Sequence, residues 1–429
     1  MRIDDLSLVG FRCFKEASFH FQPGFNLIVG ENGSGKTALL ESLAVAAGAW
    51  LLGIRGYDAR GITVEDVRIQ MVGSNGEMSP EEAQETLVYV RGCMSDGLQL
   101  AWSRARKGKA GRTTGAGVSQ LAFYAERVAE KVRVGQPVVL PLISYYGTGR
   151  LWDLPKDMKR ELKARPSKAD MSRFEGYRTS VDRRCSPLDF TQWMRRQAWI
   201  AFQEGKEPEI SAAVTDAVTK CVEGARRAWY SAKLEQVLME IKGRQVLPFE
   251  NLSDGQRNMV AMIGDIAIKA AKLNPHLGAR ALTETPGVVL IDELDLHLHP
   301  RWQRRVVNDL KRTFPKLQFF CTTHSPQIIG EVPKEEVMIL GHDGARPAPV
   351  AFGADTNWIL RHVMGGEERN PKVQTLVTSV DDAMDEGDMQ QAKKLLAQLR
   401  RKIGTDDEGE IARLDASIRN LEALAHEEN

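Results

Sequence analysis

The chain has 429 residues, with 58 Lys and Arg against 57 Asp and Glu, so its formal net charge is +1. That balance excludes a histone-like basic coat and an acidic tail protein, though not a local basic patch. A hydrophobic share of 42% and a charged share of 27% are ordinary for a globular chain, and the length suits two or three lobes around one large core. No run reaches the roughly 20 apolar residues of a membrane span. The best candidate, Leu39 to Ile54, is short and carries Glu41. The opening Arg2, Asp4 and Asp5 do not resemble a secretory signal. No two of the five cysteines lie within 30 residues of each other, so neither a CxxC knuckle nor a disulfide framework is expected. A reducing, cytoplasmic compartment is the simplest expectation.

In chain order, Ile3 to Val29 reads as strands, closing with the buried run Phe25 to Val29. Then comes Gly30-Glu31-Asn32-Gly33-Ser34-Gly35-Lys36-Thr37, a G-x-x-x-x-G-K-T string leading into a helix. This is the Walker A pattern. Its glycines let successive backbone N–H groups turn onto phosphate oxygens, and the helix N-terminus adds its dipole. Lys36 supplies a charge for the β/γ-phosphates, and Thr37 a hydroxyl for Mg²⁺. The pattern therefore predicts ATP and Mg²⁺ as ligands.

From about Gly53 to Gly149 the pattern is mixed, with strands predicted at Leu87 to Val90, Leu98 to Trp102 and Val138 to Tyr146. Asp66 and Arg68 are candidates for an internal pair. Arg104, Arg106, Lys107, Lys109 and Arg112 read as a basic loop, either solvated or contacting phosphates. Residues 150–184 hold 11 basic and 6 acidic side chains, a local +5. With Trp152, Phe174, Tyr177 and Trp193 nearby, that segment is a candidate nucleic-acid surface; helical surface charge is the plainer account. Helical patterns dominate from Ser186 to Lys242.

Asn251-Leu252-Ser253-Asp254-Gly255-Gln256-Arg257 precedes a helix beginning near Asn258. Ser253 suits an N-cap. The helix start is either a plain cap or a second phosphate-binding terminus shown to a nucleotide on another subunit. Gly287 to Glu293 is an apolar strand ending in Asp292 and Glu293. There Asp292 would hold Mg²⁺ and Glu293 would orient the attacking water. Leu317 to Pro326 is another buried strand ending in His324, predicted to lie beside the first and to reach the γ-phosphate. His297 and His299 lack further metal ligands, so packing at a dimer seam suits them better.

From about Asp355 the chain reads as all-helical. Ile411, Leu414, Ile418, Leu421 and Ala425 are spaced 3, 4, 3, 4, either one side of an internal hairpin or a partner surface. Residues 381–429 hold 7 basic and 13 acidic side chains, a local −6.

Walker A, the Leu-Ser-Asp-Gly-Gln signature, the Ile-Asp-Glu Walker B and the switch His324, in that order, resemble the ABC-type ATPases. The continuation Leu294-Asp295-Leu296-His297-Leu298-His299-Pro300 is similar to the SMC/RecF/OLD-like branch, as is the opening from Leu6 through Phe14 to Phe25. Within it the chain most resembles the PtuA-like ATPases of Septu and retron-associated anti-phage defence. Three strings carry that likeness: Gly61 to Arg68, Ser144 to Arg150, and Asp355 to Leu360.

The resemblance implies an α/β fold: an ABC-ATPase head with a mixed sheet around Walker A and B, an inserted helical lobe and a C-terminal helical tail. The boundaries read as 1–150 for the first part of the head, 151–245 for the lobe, 246–350 for the rest of the head and 351–429 for the tail. It also implies a homodimer sandwiching two nucleotides. Lys36, Glu293 and His324 of one chain would be catalytic, with Gly30, Asn32, Gly33, Ser34, Gly35 and Thr37 binding phosphates, and Thr37 and Asp292 the metal. Ser253, Gly255 and Gln256 would come from the other chain. Implied partners are a PtuB-like HNH nuclease and, in retrons, a reverse transcriptase with its RNA and DNA. The alternative is a RecF- or SMC-like repair ATPase acting directly on DNA. A Gln-loop is not evident; Gln99, Gln120 and Gln136 are weak candidates. A TOPRIM nuclease and a long coiled-coil insertion are not expected.

Overall fold

A computed structural model describes residues 1–427 except 74–78, 109–110, 150–171, 183–186, 244–245, 342–343, 368 and 406–408. The chain divides into two compact units, Met1–Ile359 and Leu360–Asn429.

At the centre of the first unit is a six-stranded sheet. Its strands run Gly344–Pro347, Val337–Gly341, Phe25–Val29, Leu317–Thr322, Gly287–Ile291 and Leu142–Tyr146. All neighbours are parallel except the antiparallel edge pair Val337–Gly341 and Gly344–Pro347. Every residue of the four strands Phe25–Val29, Leu142–Tyr146, Gly287–Ile291 and Leu317–Thr322 is buried. A parallel strand covered on both faces is mostly apolar, which is why these segments read as hydrophobic runs; the polar residues within them, Asn26, Ser144, Gln318 and Thr322, are buried and hydrogen-bonded.

A second, antiparallel sheet orders Phe14–His20, Arg2–Phe11, Thr86–Cys93 and Gln99–Arg106. The helix Lys36–Gly48 packs against strands of both sheets, and twelve of its thirteen residues are buried. The apolar run at Leu39 to Ile54 is therefore a core helix in this fold. Together with the short turn Ala49–Gly53, that helix makes Lys36–Gly53 the one helical stretch among the described residues long and apolar enough to cross a membrane, and 89% of it is buried inside the protein.

Helices Pro187–Glu204 and Glu209–Cys221 follow the Ser186 to Lys242 expectation, but the rest of that stretch does not. Ala225–Ser231 and Gln236–Ile241 are paired antiparallel strands, extended by Leu247–Pro248. Gly224, at φ +77°, breaks the helical run, and Glu235, at φ +53°, closes the hairpin. The Leu-Met-Glu composition favours helix, and cross-strand packing overrides that weak preference.

Other local expectations are also corrected. Asp66 does not pair with Arg68. Its carboxylate accepts from Arg12 Nε at 2.8 Å and from the Thr63 hydroxyl at 2.9 Å, while Arg68 donates to the Cys13 carbonyl. Arg104 and Arg106 lie in the strand Gln99–Arg106, not in a loop, and Arg104 is buried. Lys107 and Arg112 are exposed; Lys109 lies outside the described residues. Phe174, Tyr177 and Trp193 are buried, so they cannot stack on a nucleobase. Most of the +5 segment, including Arg150 and Trp152, lies outside the described residues.

The second unit is built on helices Pro371–Asp385, Met389–Ile403 and Gly409–Glu427. Val377, Val380, Leu396, Leu399, Ile411, Leu414 and Ile418 form its core. Most of the 3-4-3-4 seam is thus consumed inside the unit. Leu421 falls beyond the packed turns and is 39% exposed.

Candidate nucleotide-binding site

The loop between Phe25–Val29 and Lys36–Gly48 is shaped by two glycines in the left-handed region, Gly33 at φ +82° and Gly35 at φ +100°. A Cβ on Gly35 would lie 2.6 Å from Cys13 Sγ and 2.9 Å from the Phe14 ring. A Cβ on Gly30 would lie 2.3 Å from the Leu340 carbonyl oxygen. Glycine is thus demanded by both backbone conformation and space. Gly35 is the N-cap, so the unpaired N–H groups of the helix face the loop. Lys36 folds back over it, its Nζ donating to the carbonyls of Gly30 at 2.8 Å and Glu31 at 2.9 Å. Burial pushes the Lys36 ammonium below its ordinary pKa, while Asp292, Glu293 and Asp295 oppose that shift. Ser34 Oγ is buried with no hydrogen-bond partner. Asn32 and Thr37 are exposed.

The carboxylates arrive on the next parallel strands. Gly287–Ile291 and Leu317–Thr322 pair with Ile291 opposite Cys321, which sets Asp292 and Glu293 beside Thr322, Thr323 and His324. Thr37 Oγ1 donates to Asp292 Oδ2 at 3.1 Å, and Thr322 Oγ1 donates to Asp292 Oδ1 at 2.6 Å. The same Thr322 hydroxyl accepts from the Glu293 N–H at 2.8 Å. Glu293 itself sits at φ +50°, a conformation uncommon outside glycine, so its placement depends on such outside contacts. Asp295 Oδ1 accepts from the Thr323 hydroxyl at 2.6 Å and the His324 N–H at 3.2 Å, anchoring the His324 backbone.

Thr322 and Asp295 were both visible in the sequence without an assigned part. A threonine closing an apolar strand looks like ordinary strand composition. Its bridging position emerges only from the strand register.

The signature residues form a separate group. Among the described residues, no hydrogen bond joins Ser253, Gly255 or Gln256 to residues 30–37. Ser253 caps the helix Asp254–Leu273 in a capping box with Gln256. Gly255 lies against the turn after Glu293, where a Cβ would come 2.4 Å from the His297 carbonyl oxygen. Asn258 Nδ2 donates to the Leu296 carbonyl at 3.0 Å, a further tie. His299 accepts from the Arg301 N–H and caps the helix Pro300–Thr313. No cluster of three or more His, Cys, Asp or Glu side chains fit to hold a metal ion occurs around His297 and His299 or elsewhere among the described residues. Gln99, Gln120 and Gln136 are exposed, at a strand start, in a helix and in a loop, and none is bonded to these groups.

Residues 141–330 match the family model described as "AAA domain, putative AbiEii toxin, Type IV TA system". Residues 5–185 match another described as "AAA domain". The chain is similar to the Retron Ec83 probable ATPase of Escherichia coli, with 34% identity over 189 residues, 41% of this chain and 34% of that one. It is 24% identical over 391 residues to the Retron Vc95 probable ATPase of Vibrio cholerae serotype O1 biovar El Tor, 79% of this chain and 73% of that one. It is 32% identical over 148 residues to the Septu protein PtuA of Bacillus thuringiensis, 32% of this chain and 37% of that one. The match thus spans about a third of the length of the Ec83 and PtuA relatives. A solved SMC head bound to the C-winged helix domain of ScpA superposes with TM-score 0.48 at 18% identity, covering 82% of this chain and 98% of that one. With its motifs in this order, the chain matches AAA-domain models over residues 5–185 and 141–330 and is similar to the ATPases of retron systems and to the Septu protein PtuA.

Proposed function

We propose that the chain is the ATP-binding and ATP-hydrolysing subunit of a bacterial anti-phage defence complex, and that two copies close around ATP to control a separate HNH nuclease. The observation carrying this reading is the bonded set Thr37, Asp292, Thr322 and Glu293 beside the Lys36 loop. It supports phosphoryl transfer to water, where catalysis is positioning and electrostatic stabilisation.

In this reading the N–H groups of residues 33 to 37 bind phosphate oxygens, and Lys36 leaves its two carbonyls to neutralise the β/γ-phosphates. Thr37 and Asp292 would hold Mg²⁺. Their donors are hydroxyl and carboxylate oxygens, which suit a hard cation, and they already meet at 3.1 Å. The ion, when bound, supplies charge neutralisation on the phosphates. Glu293 orients the attacking water and accepts its proton, and His324 reaches the γ-phosphate. Ser253, Gly255 and Gln256, bonded to nothing in their own chain's loop, serve the nucleotide on a partner copy. Hydrolysis then favours opening, and that population shift passes to the nuclease or, in a retron setting, also to a reverse transcriptase with its nucleic acid. The complex would work in the cytoplasm.

The test has two arms. Lys36→Ala should abolish ATP binding, and Glu293→Gln should bind ATP but turn it over far more slowly than wild type. Unchanged affinity in the first or unchanged turnover in the second removes the assignment. Co-purification with the products of adjacent genes tests the partner, and recovery of no nuclease counts against it.

A further inference from the structure

We propose that Tyr145 and Tyr146 couple the phosphate-binding helix Lys36–Gly48 to the signature helix Asp254–Leu273, so that nucleotide at residues 30–37 is registered at the signature motif of the same chain. This rests on the ATP-site reading above. The two tyrosines end the strand Leu142–Tyr146, where successive side chains point to opposite faces. Tyr145 OH donates to Glu41 Oε1 at 2.9 Å; Glu41 lies one turn beyond Thr37 and is also paired with Arg60. Tyr146 OH donates to Asp265 Oδ2 at 2.6 Å, on the signature helix.

That helix returns to the strand a second time. Lys269 Nζ lies 2.8 Å from Asp265 Oδ2, donates to Ser144 Oγ at 3.0 Å, and stands 5.6 Å from the Tyr146 ring centre. Glu41, Ser144, Tyr145, Tyr146, Asp265 and Lys269 are all buried. The strand is also in register with the Walker B strand, Tyr146 opposite Ile291, and the Asp292 N–H donates to the Tyr146 carbonyl at 2.8 Å. One strand end thus touches three elements of the site.

The charges explain why this is more than packing. Apolar side chains could hold a helix on a strand without the desolvation cost of a buried Asp–Lys pair. Directional hydrogen bonds instead fix a single register of helix against strand. A shift of the phosphate-binding helix draws on Glu41 and Tyr145, and the strand conveys it to Tyr146, Asp265 and the helix bearing Ser253. Tyr145, Tyr146 and Asp265 are positioning residues in this scheme; none of them touches nucleotide.

The test is hydrogen exchange on the full chain with and without MgATP, at a concentration where light scattering gives one copy. In wild type, MgATP should slow exchange at residues 30–43 and also at 254–262. In Tyr146→Phe the slowing at 30–43 should persist and that at 254–262 should be lost, while kcat, read separately at a concentration where copies pair, falls about tenfold with ATP affinity little changed. Tyr145→Phe, a second hydroxyl deletion, should do the same from the other end of the link, and thermal melts confirm that each variant is folded. Slowing at 254–262 that survives both variants overturns the proposal, as does a wild type protected at 30–43 alone. Loss at both segments together in the folded variants would mean a merely structural role. A wild type with no protection at 30–43 overturns the ATP-site reading, and this coupling with it.

Discussion

Thr322 ties the Asp292 carboxylate and the Glu293 backbone together with a single hydroxyl, donating to Asp292 and accepting from the Glu293 N–H. Valine has the same shape without that hydroxyl, so Thr322→Val strands a buried carboxylate oxygen and a backbone N–H. The expected cost is about 1–3 kcal/mol of stability, read in a denaturant melt. Because Glu293 sits in a left-handed conformation, the variant should also lose turnover by about tenfold or more while still binding ATP. A turnover equal to wild type would show that Glu293 needs no such support. The cysteines allow a second check. Burial pushes the Cys221 thiol up to about 11. At pH 8 the thiolate, which is the reactive form, is therefore scarce at Cys221. Burial also pushes the Cys13 thiol up, opposed by Arg68 and Arg12, but Cys13 is exposed beside Gly35 and open to reagent. Iodoacetamide should modify Cys13 in the folded chain and spare Cys221, and mass mapping of the labelled peptides decides it. The residue scale is also where sequence reasoning was strongest and then ran out. The motifs at 30–37, 253–256, 292–293 and 324 are legible from residue type and order, whereas the contacts of Thr322, Asp295 and Tyr146 depend on neighbours far away in sequence.

Among the elements, burial on both faces made the central strands legible, since a covered parallel strand leaves no position for a polar residue to face water. The hairpin Ala225–Ser231 and Gln236–Ile241 has a helix-like composition because it mixes exposed arginines with Leu, Met and Glu. No period of two survives where one face is only partly covered. The tail shows the opposite case, a clear helical period whose partner could not be named from the period alone. Its seam faces the other two helices of its own unit. Leu414→Ala should therefore cost about 2–5 kcal/mol in that unit, as expected for a fully buried leucine. Hydrogen exchange across residues 371–427 should report it. Leu421→Ala, on the same face but beyond the packed turns and 39% exposed, should change little.

For the whole molecule the decisive prediction concerns where the signature acts. Lys36→Ala and Ser253→Arg should each abolish hydrolysis alone. If the site is shared between copies, mixing the two variants restores measurable hydrolysis, because one composite site per mixed pair is intact. Mixtures as inactive as their parts would place the signature in its own chain's site. The net charge of +1 has no bearing on that outcome, since it averages a +5 and a −6 segment. By itself the sequence determined the order of the motifs, the glycine-shaped loop and the buried strands, because those are local: a left-handed turn needs its glycines, and a covered strand needs a mostly apolar run. Only the tertiary structure decided that Asp66 pairs with Arg12, that Phe174, Tyr177 and Trp193 are core, that Ile411, Leu414 and Ile418 of the tail seam are internal, and that two adjacent tyrosines bond to the helices Lys36–Gly48 and Asp254–Leu273. Each of these is a pairing between segments distant in the chain, and such pairings follow from strand register and helix packing, which no local pattern encodes.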